Sequence, residues 1–592
     1  MYILGITCYG HDSSAAIIKD GELITAVEEE RFNRKKHTHA FPTNSINYCL
    51  EECGITMHEV DHVGYYLRPW IGYLPMTLHF LRYLPRSLNL VADRGVAKQE
   101  NDYIPYGYLT DPLAVFNVGK LLRKTYEKDR PGFKFHFIEH HLCHQASSFL
   151  ISPFEEAASL SVDGCGEWTT TMMAYGKGDS FEVLGKIDAP NSLGTFYNSV
   201  CEYLGFTFLE GPGKVMGLAS YGDPDRHYTQ FKKMLICKED GTFELDFSYF
   251  DFHVTRTKDR CSEKFKSIFG PQREKKNGEI TQHYMDVAAA LQRVLEDACF
   301  HILQHLQKRT NSRNLCLSGG VALNSVMNAK VLKKGIFDEV FIQPAASDAG
   351  CSIGGAFYIY NILLGKPRQY VFKTACIGKK FGDSDILEAI KARGAVYRKL
   401  NDAAGETARF LADGKIVGWF QGRAEFGPRA LGSRSILTAP FPAEMKDILN
   451  KRVKHREPFR PFAPVVLREK MGDYFETSYP SPFMLLVFDV KPDKRSKIPA
   501  VTHVDNTGRV QTVTREENGL FYDLVVAFEK ITGIPVILNT SFNVQGMPIV
   551  NSPDDALDCF FSTEMDYLVM GDYLVTKDKK AWTVKELDAF YE

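Results

Sequence analysis

The sequence predicts an α/β protein of two or three domains, and three observations carry that reading. A β-meander at the N-terminus recurs near residues 158–184, a long amphipathic helix leads into a strand ending in Gly-Gly, and the texture turns basic and Gly/Pro-rich beyond residue 382. At roughly 150 residues per domain, 592 residues give about four domains, but large α/β lobes often exceed that size.

The elements follow in order. Tyr2–Ile6 reads as a first strand and is followed by a polar turn, Tyr9-Gly10-His11-Asp12. Ala15–Ile18 and Leu23–Val27 flank Asp20-Gly21, a strong two-residue hairpin signal. The second copy has a strand Ala158–Val162, the polar turn Asp163-Gly164-Cys165-Gly166-Glu167, a strand Thr169–Tyr175, a turn over 176–178 and a strand Phe181–Leu184. Two copies of one pattern suggest a duplicated α/β lobe. Such a lobe can close over a nucleotide with both polar turns in its cleft. Chance recurrence of a common meander is the competing explanation.

From Met285 to about Gln307, apolar residues at Val287, Leu291, Val294, Leu295, Ala298 and Ile302 share one helical face. Asn314–Ser318 then runs as a strand into Gly319-Gly320, and a helix is expected from Val321. Glycines at a strand-to-helix junction let backbone N–H groups approach a ligand. Residues 365–382 read as a linker, and Ile416–Phe420 opens a second region as a strand.

Composition excludes several classes. Apolar residues make up 44% and charged residues 24%, an ordinary globular balance rather than a disordered one. The net charge of −2 (71 basic, 73 acidic) offers no whole-chain attraction to nucleic acid or an anionic membrane. The start of the chain lacks a basic region, and the apolar, uncharged run Ala349–Gly365 falls short of the roughly 20 residues of a membrane span. A cytoplasmic protein with its 13 cysteines reduced is expected.

Several motifs carry chemistry. His140 and His144 lie four apart, on one face of a helix, as a metal pair requires; a structural role for such a pair stays open. Asp163 and Asp348 would complete a set of two imidazoles and two carboxylates, which suits Fe(II), Mn or Zn better than Mg or Ca. Gly350-Cys351-Ser352-Ile353-Gly354 matches GxSxG, but no strand runs straight into it, so Ser352 is expected to pack a helix. No P-loop is present; Gly211–Gly217, with Lys214, reads as a glycine-rich loop or an ordinary turn.

The C-terminal region is more telling. Between Arg423 and Arg460, nine Lys/Arg face four acidic residues, interleaved with Gly and Pro as in Phe426-Gly427-Pro428-Arg429-Ala430-Leu431-Gly432. Arginine forks that converge bind phosphate or carboxylate bidentately. Asn539–Asn543 should add amide and hydroxyl groups beyond a strand Val536–Leu538.

Taken together, GHDSSAA (10–16), EEERF (28–32), HHLCH (140–144), DGCGEW (163–168), GKVMGLASYG (213–222), SGGVALN (318–324), GRAEFGPRALGSRSIL (422–437), REPFRPFAP (456–464), HVDNTGRVQTV (503–513) and NTSFNVQGMPIV (539–550) resemble the O-carbamoyltransferase family. This NodU/CmcH family includes the tobramycin-, cephamycin- and ansamycin-type natural-product carbamoyltransferases. The resemblance spans nearly the whole chain. It implies a duplicated ASKHA (ribonuclease H-like) domain over 1–366, a linker over 367–384 and a YrdC-like α/β domain over 385–592.

The resemblance further implies a two-stage reaction. Carbamoyl phosphate and ATP, taken up with Mg(II), give carbamoyladenylate in the YrdC-like domain, and an acceptor hydroxyl takes the carbamoyl group in the ASKHA-type domain. By position, His140, His144, Asp163 and Asp348 match the family's iron ligands. Gly319, Gly320 and Asn324 match its adenylate loop, with Lys214 and Gly217 as neighbours. Arg429, Lys454, Arg460 and Arg509 match the carbamoyl phosphate and ATP contacts, and Asn539 and Asn543 line that pocket. Met547 departs from the pattern, standing where an acidic residue is expected.

The acceptor hydroxyl needs a base, for which His11 is the first candidate and Asp12 the second. The expected partners are small molecules, with no nucleic acid, no membrane, and a homodimer allowed. Residues 65–108, aromatic and apolar with arginines, are expected either to cap the acceptor pocket or to pack as helical core. A tRNA-threonylcarbamoylation enzyme is the main rival and would need a broad basic face. A non-catalytic nucleotide sensor is the second, and it leaves the arginines and the metal quartet without a role.

Overall fold

The computed structural model describes residues 1–92, 112–255, 259–274 and 278–577. The chain forms two compact units: Met1–Glu29 with His37–Phe372, and Glu30–Lys36 with the chain from Lys373 onward.

The first unit holds two five-stranded sheets. One contains β1 (Tyr2–Thr7), β2 (Ser14–Lys19), β3 (Glu22–Glu28), β4 (Val60–Tyr65) and β5 (Lys134–Phe137), in the order β3-β2-β1-β4-β5. The other contains β6 (Glu156–Val162), β7 (Thr169–Lys177) and β8 (Ser180–Asp188). After the separate hairpin β9 (Leu235–Cys237) and β10 (Phe243–Leu245), it is completed by β11 (Asn314–Ser318) and β12 (Glu339–Ile342). Its order, β8-β7-β6-β11-β12, repeats that of the first sheet. In both, a meander of antiparallel pairs continues into two parallel strands.

Local chemistry accounts for the turns. Asp20 and Gly21 have φ of 49° and 87°, the left-handed pair that a two-residue hairpin matching strand twist needs. The second hairpin turns at Gly178-Asp179, later than the expected 176–178, because β7 stays paired through Lys177. Helix Thr43–Cys53 starts at Pro42, which has no side-chain acceptor; instead the Glu29 carboxylate accepts the Ser45 N–H at 2.9 Å.

Two short helices fill the space between the sheets. Helix His140–Phe149 packs on the second sheet and helix Gly350–Phe357 on the first, and the two helices also pack on each other. Glycine makes this approach feasible. A Cβ on Gly5 would stand 1.8 Å from the Ser352 carbonyl oxygen, and one on Gly354 would stand 1.9 Å from that of Cys143. Ser352 is a packing serine, donating to the Ala349 carbonyl and accepting from Ser14. The expected core helix runs from Gln282 to Thr310 with its apolar face buried.

The second unit is built on one nine-stranded mixed sheet. Its strands are β13 (Val396–Lys399), β14 (Val417–Phe420), β15 (Arg434–Thr438), β16 (Ala463–Leu467), β17 (Leu486–Asp489), β18 (Thr507–Val513), β19 (Val536–Ser541), β20 (Tyr567–Met570) and β21 (Tyr573–Thr576). They run in the order β13-β21-β20-β14-β15-β19-β16-β18-β17 over a core that includes Phe420, Ile436, Val466, Leu538 and Leu568.

Between Leu364 and Gly382 no helix or strand forms, yet the segment is fastened down. The Arg368 guanidinium donates to the carbonyls of Leu150, Ser152, Phe154 and Gly178. Among the described residues, no helix is long and apolar enough to cross a membrane.

The glycine contacts make a direct prediction. Gly354→Val inserts bulk where the Cys143 carbonyl leaves none, so unfolding in denaturant should show a loss of about 1–3 kcal/mol or more. Gly335→Ala, at a site with open space around it but φ of +63°, should cost less.

Candidate active site

The sequence-predicted metal quartet is assembled within the first unit. His140 opens its helix, and the buried Glu167 carboxylate accepts the His140 N–H (3.1 and 3.2 Å), capping that end. His144 lies one turn on, on the same face. His141 points elsewhere: it hydrogen-bonds Ser161 (2.7 Å) and the Thr169 carbonyl (3.0 Å), tying the helix to the second sheet. Asp163 ends β6 and Asp348 precedes helix Gly350–Phe357.

The four side chains are buried and offer ligand atoms all within 4.8 Å of one another. His140 Nε2 is 3.1 Å from Asp163 Oδ2 and 3.7 Å from Asp348 Oδ1; His144 Nε2 is 3.6 Å from Asp163 Oδ2, too long for a hydrogen bond. Both ring nitrogens of His144, the Nδ1 of His140 and the Oδ1 of Asp348 are buried without a hydrogen-bond partner. Orphaned buried polar atoms are costly. A divalent cation would satisfy several of them, and this N/O donor set fits a first-row metal.

Charge is unevenly held in this pocket. Burial raises the Asp348 pKa, whereas Asp163, against its burial, is held well below the carboxylate range by His140 and His144. Burial opposes a charge on His140, but Asp348 and Asp163 carry its pKa up to about 9. Burial pushes the His144 pKa down. His140 therefore binds a proton readily while His144 stays a neutral donor.

His11 and Asp12 sit in the first polar turn, where Tyr9 and Asp12 take left-handed φ of 68° and 55°. That strained backbone presents His11 toward the quartet and sets Asp12 between His11 and His37. His11 Nδ1 is 3.1 Å from Asp12 and its Nε2 is 3.8 Å from Asp348 Oδ1. Burial opposes protonation of His11, but Asp348 and Asp12 raise its pKa to about 10. Asp12 is half-buried, and against that desolvation His37, 2.7 Å away, and His11 hold it well below its usual range.

The glycine junction serves this same site. Gly319 has φ of +85°, and the Gly320 N–H donates to Asp163 Oδ1 at 2.8 Å, fixing the carboxylate. A helix does not begin at Val321; a 3₁₀ turn spans Gly320–Leu323 and the helix runs Ser325–Lys333, because Asn324 caps it by accepting from Met327 N–H. The Asn324 amide also pairs with Gln292. Gly211–Gly217 is not a loop: Gly211–Leu218 is a helix with Pro212 in its first turn, a position that needs no N–H donor. Lys214 is buried on it, 3.8 Å from Glu210, and Gly217 is half-buried.

Tyr66 stacks obliquely on His140, with ring centroids 5.3 Å apart, and helix Trp70–Arg82 lays Gly72 against the Glu167 carbonyl. The segment expected to cap the acceptor pocket thus borders this turn, while residues 93–108 of it lie outside the described residues.

The second unit gathers cations. Arg429, Arg456, Arg460 and Arg509 lie close enough to repel one another. Burial, and then the Arg460 charge, push Arg429 down to about 10 and Arg456 to about 9; Arg509 falls further for the same reasons. The Nε atoms of Arg429 and Arg509 are buried without a partner. Such a group demands an anion.

Arg456 belongs to this cluster although its position had singled out only its neighbours; the signal was the KHREPFR run itself. Arg434, by contrast, is structural, spending its guanidinium on the carbonyls of Gln421, Gly422, Ser433 and Lys379 over the Phe420 ring. Glu425 accepts the N–H groups of Leu431, Ser433 and Arg434 and so shapes the turn after Arg429.

Three of the expected contacts make hydrogen bonds within the protein. Lys454 is buried, with its ammonium directed to the carbonyls of Ser541 and Asn543 and to their side chains. Asn543 is therefore a partner of Lys454 and of the Met547 carbonyl. Asn539 lies within β19, which extends to Ser541 rather than ending at Leu538, and its amide donates to the Ala430 carbonyl and to Gln511. Met547 is exposed at the tip of this loop.

The sequence matches make this chain a transferase of carbamoyl groups. Residues 2–357 match the family described as carbamoyltransferase N-terminus and residues 408–577 that described as carbamoyltransferase C-terminus; the chain belongs to the carbamoyltransferase family. An uncharacterized protein of Synechocystis sp. is 42% identical over 97% of each chain. The nodulation protein NolNO of Sinorhizobium fredii is 38% identical over 96% of this chain and 79% of its own. Among solved structures, component A of Acidaminococcus fermentans (R)-2-hydroxyglutaryl-CoA dehydratase aligns at 14% identity and a TM-score of 0.31, covering 60% of this chain and 97% of that one.

Metal binding should be coupled to protons. A cation must displace the proton that the carboxylates hold on His140, so affinity should rise with pH up to about 9 and uptake should release protons. Calorimetric Zn(II) titrations in buffers of different ionisation enthalpy check this. His144→Ala should weaken binding by at least about tenfold; an unchanged affinity would remove the quartet as the site.

Proposed function

We propose that this chain is an ATP-dependent O-carbamoyltransferase acting on a hydroxyl of a small-molecule natural product. The observation that carries the reading is the convergence of Arg429, Arg456, Arg460 and Arg509 in one unit and of the His/Asp quartet in the other, each inside its matched family segment. In this reading the first unit is the ASKHA-type lobe and the second the YrdC-like lobe.

In the second unit, carbamoyl phosphate gives up its phosphate to water. The carbamate oxygen then attacks the α-phosphorus of ATP, the α–β bridging bond breaks, and pyrophosphate leaves with its Mg(II). Half-buried, converging guanidinium groups suit this step because charge spreads over phosphoryl oxygens as the bonds exchange. Enclosure matters too, since carbamate is short-lived in water. Lys454 and Asn543 support the loop, and Glu425 and Asn539 hold the turn that carries Arg429.

In the first unit, the acceptor oxygen attacks the carbamoyl carbon, the C–O bond to AMP breaks, and AMP departs with both electrons. The backbone of Gly319 and Gly320 would face the adenylate. His140, His144, Asp163 and Asp348 would hold the divalent metal, Fe(II) by the family resemblance, which supplies Lewis acidity to the carbonyl or phosphate. The hydroxyl proton passes to the His11–Asp12 pair. The Asp348 charge helps to raise the His11 pKa to about 10, so a cation engaging Asp348 would free His11 to act as the base, while Asp12, held well below its usual range, stays ionised and orients it.

The test separates the two stages. ATP and carbamoyl phosphate without acceptor should yield pyrophosphate, and Arg509→Ala should lower that rate by on the order of 100-fold or more. His140→Ala should leave this first stage within about threefold of wild type. Pyrophosphate release that needs neither carbamoyl phosphate nor Arg509 would overturn the reading.

A further inference from the structure

The segment Glu30–Lys36 lies early in the sequence but is part of the second unit. Its neighbours on both sides belong to the first: Glu29 caps helix Thr43–Cys53, and His37 pairs with Asp12. Within the second unit its arginines reach the two loops that carry the anion site. Arg31 is almost fully buried and donates to the Gly427 carbonyl at 2.7 Å, two residues before Arg429. Arg34 donates to the carbonyls of Ile549 (2.7 Å) and Pro548 (2.9 Å) and lies 3.3 Å from Asp555. Those carbonyls end the loop in which Asn543 holds Lys454.

We propose that Arg31 and Arg34 are positioning residues of the anion site, setting the loops of Arg429 and Lys454 without touching the substrate. A planar guanidinium can serve the adjacent carbonyls of Pro548 and Ile549 and the Asp555 carboxylate at once; a lysine ammonium on one flexible stem cannot reproduce that fork. Gly427 has φ of +115°, a conformation that glycine adopts readily and other residues rarely do, and Arg31 holds its carbonyl. The site that binds carbamoyl phosphate is thus incomplete without a strap from the N-terminal end of the chain. This inference rests on the reading that the arginine cluster binds carbamoyl phosphate.

The test uses the full chain carrying Arg31→Lys, Arg34→Lys or Arg34→Ala. It measures carbamoyl phosphate binding by calorimetry, carbamoyl phosphate-dependent pyrophosphate release from ATP, and Zn(II) stoichiometry. Binding should weaken on the order of 10–100-fold, as loss of a second layer of support does. The KM for carbamoyl phosphate should rise more than kcat falls, and the first unit should keep its metal. Asp555→Asn, which spares the buried Arg31, should act in the same direction on Arg34 alone. Variants that bind carbamoyl phosphate as the wild type does would overturn the inference. Wild-type protein that binds no carbamoyl phosphate, with Arg429→Ala no different, would instead sink the reading beneath it and this inference with it.

Discussion

The first unit depends on one packing constraint: helix Gly350–Phe357 must approach both β1 and helix His140–Phe149 at backbone distance. Gly5 and Gly354 satisfy it, since any side chain there would overlap a carbonyl oxygen. The consequence is chemical. Asp348, just before that helix, is carried to within 3.7 Å of His140, and the turn after β1 brings His11 to within 3.8 Å of Asp348. Close-packed interiors transmit such constraints because there is little free volume to absorb a displacement.

The two units hold opposite charge problems. In the first, carboxylates and imidazoles are buried together with several polar atoms unpartnered, an arrangement that favours a cation. In the second, four half-buried guanidinium groups repel one another, an arrangement that favours an anion. Neither is a stable way to bury charge for its own sake, because desolvation exceeds what these pairings return. In the proposed reaction, a carbamoyl donor with phosphate groups and an acceptor step needing Lewis acidity would use both.

Much of this was legible in the sequence. The Asp-Gly hairpin, the repeated meander and the long amphipathic helix are local signals, and local chemistry realised them. The quartet was legible because His140 and His144 share a helical face and Asp163 stands at a strand end. What was not legible was set by distant partners. Gly211–Leu218 reads as a loop from its glycines, yet packing of Lys214 and Val215 makes it a helix. Lys454 matches a substrate contact by position, and no local pattern shows that its ammonium also donates to the carbonyls of Ser541 and Asn543. The place of Glu30–Lys36 in the second unit depends on Gly427, Pro548 and Ile549, hundreds of residues away, which no periodicity encodes.

The central claim is that carbamate becomes bonded to the α-phosphorus of ATP before an alcohol receives it. Isotope transfer tests it directly. With carbamoyl phosphate bearing heavy oxygen at its carbonyl, cleavage of the C–O bond to AMP leaves carbamate oxygen on phosphorus, so the account predicts labelled AMP. AMP formed without label, or ADP as the nucleotide product, would contradict it.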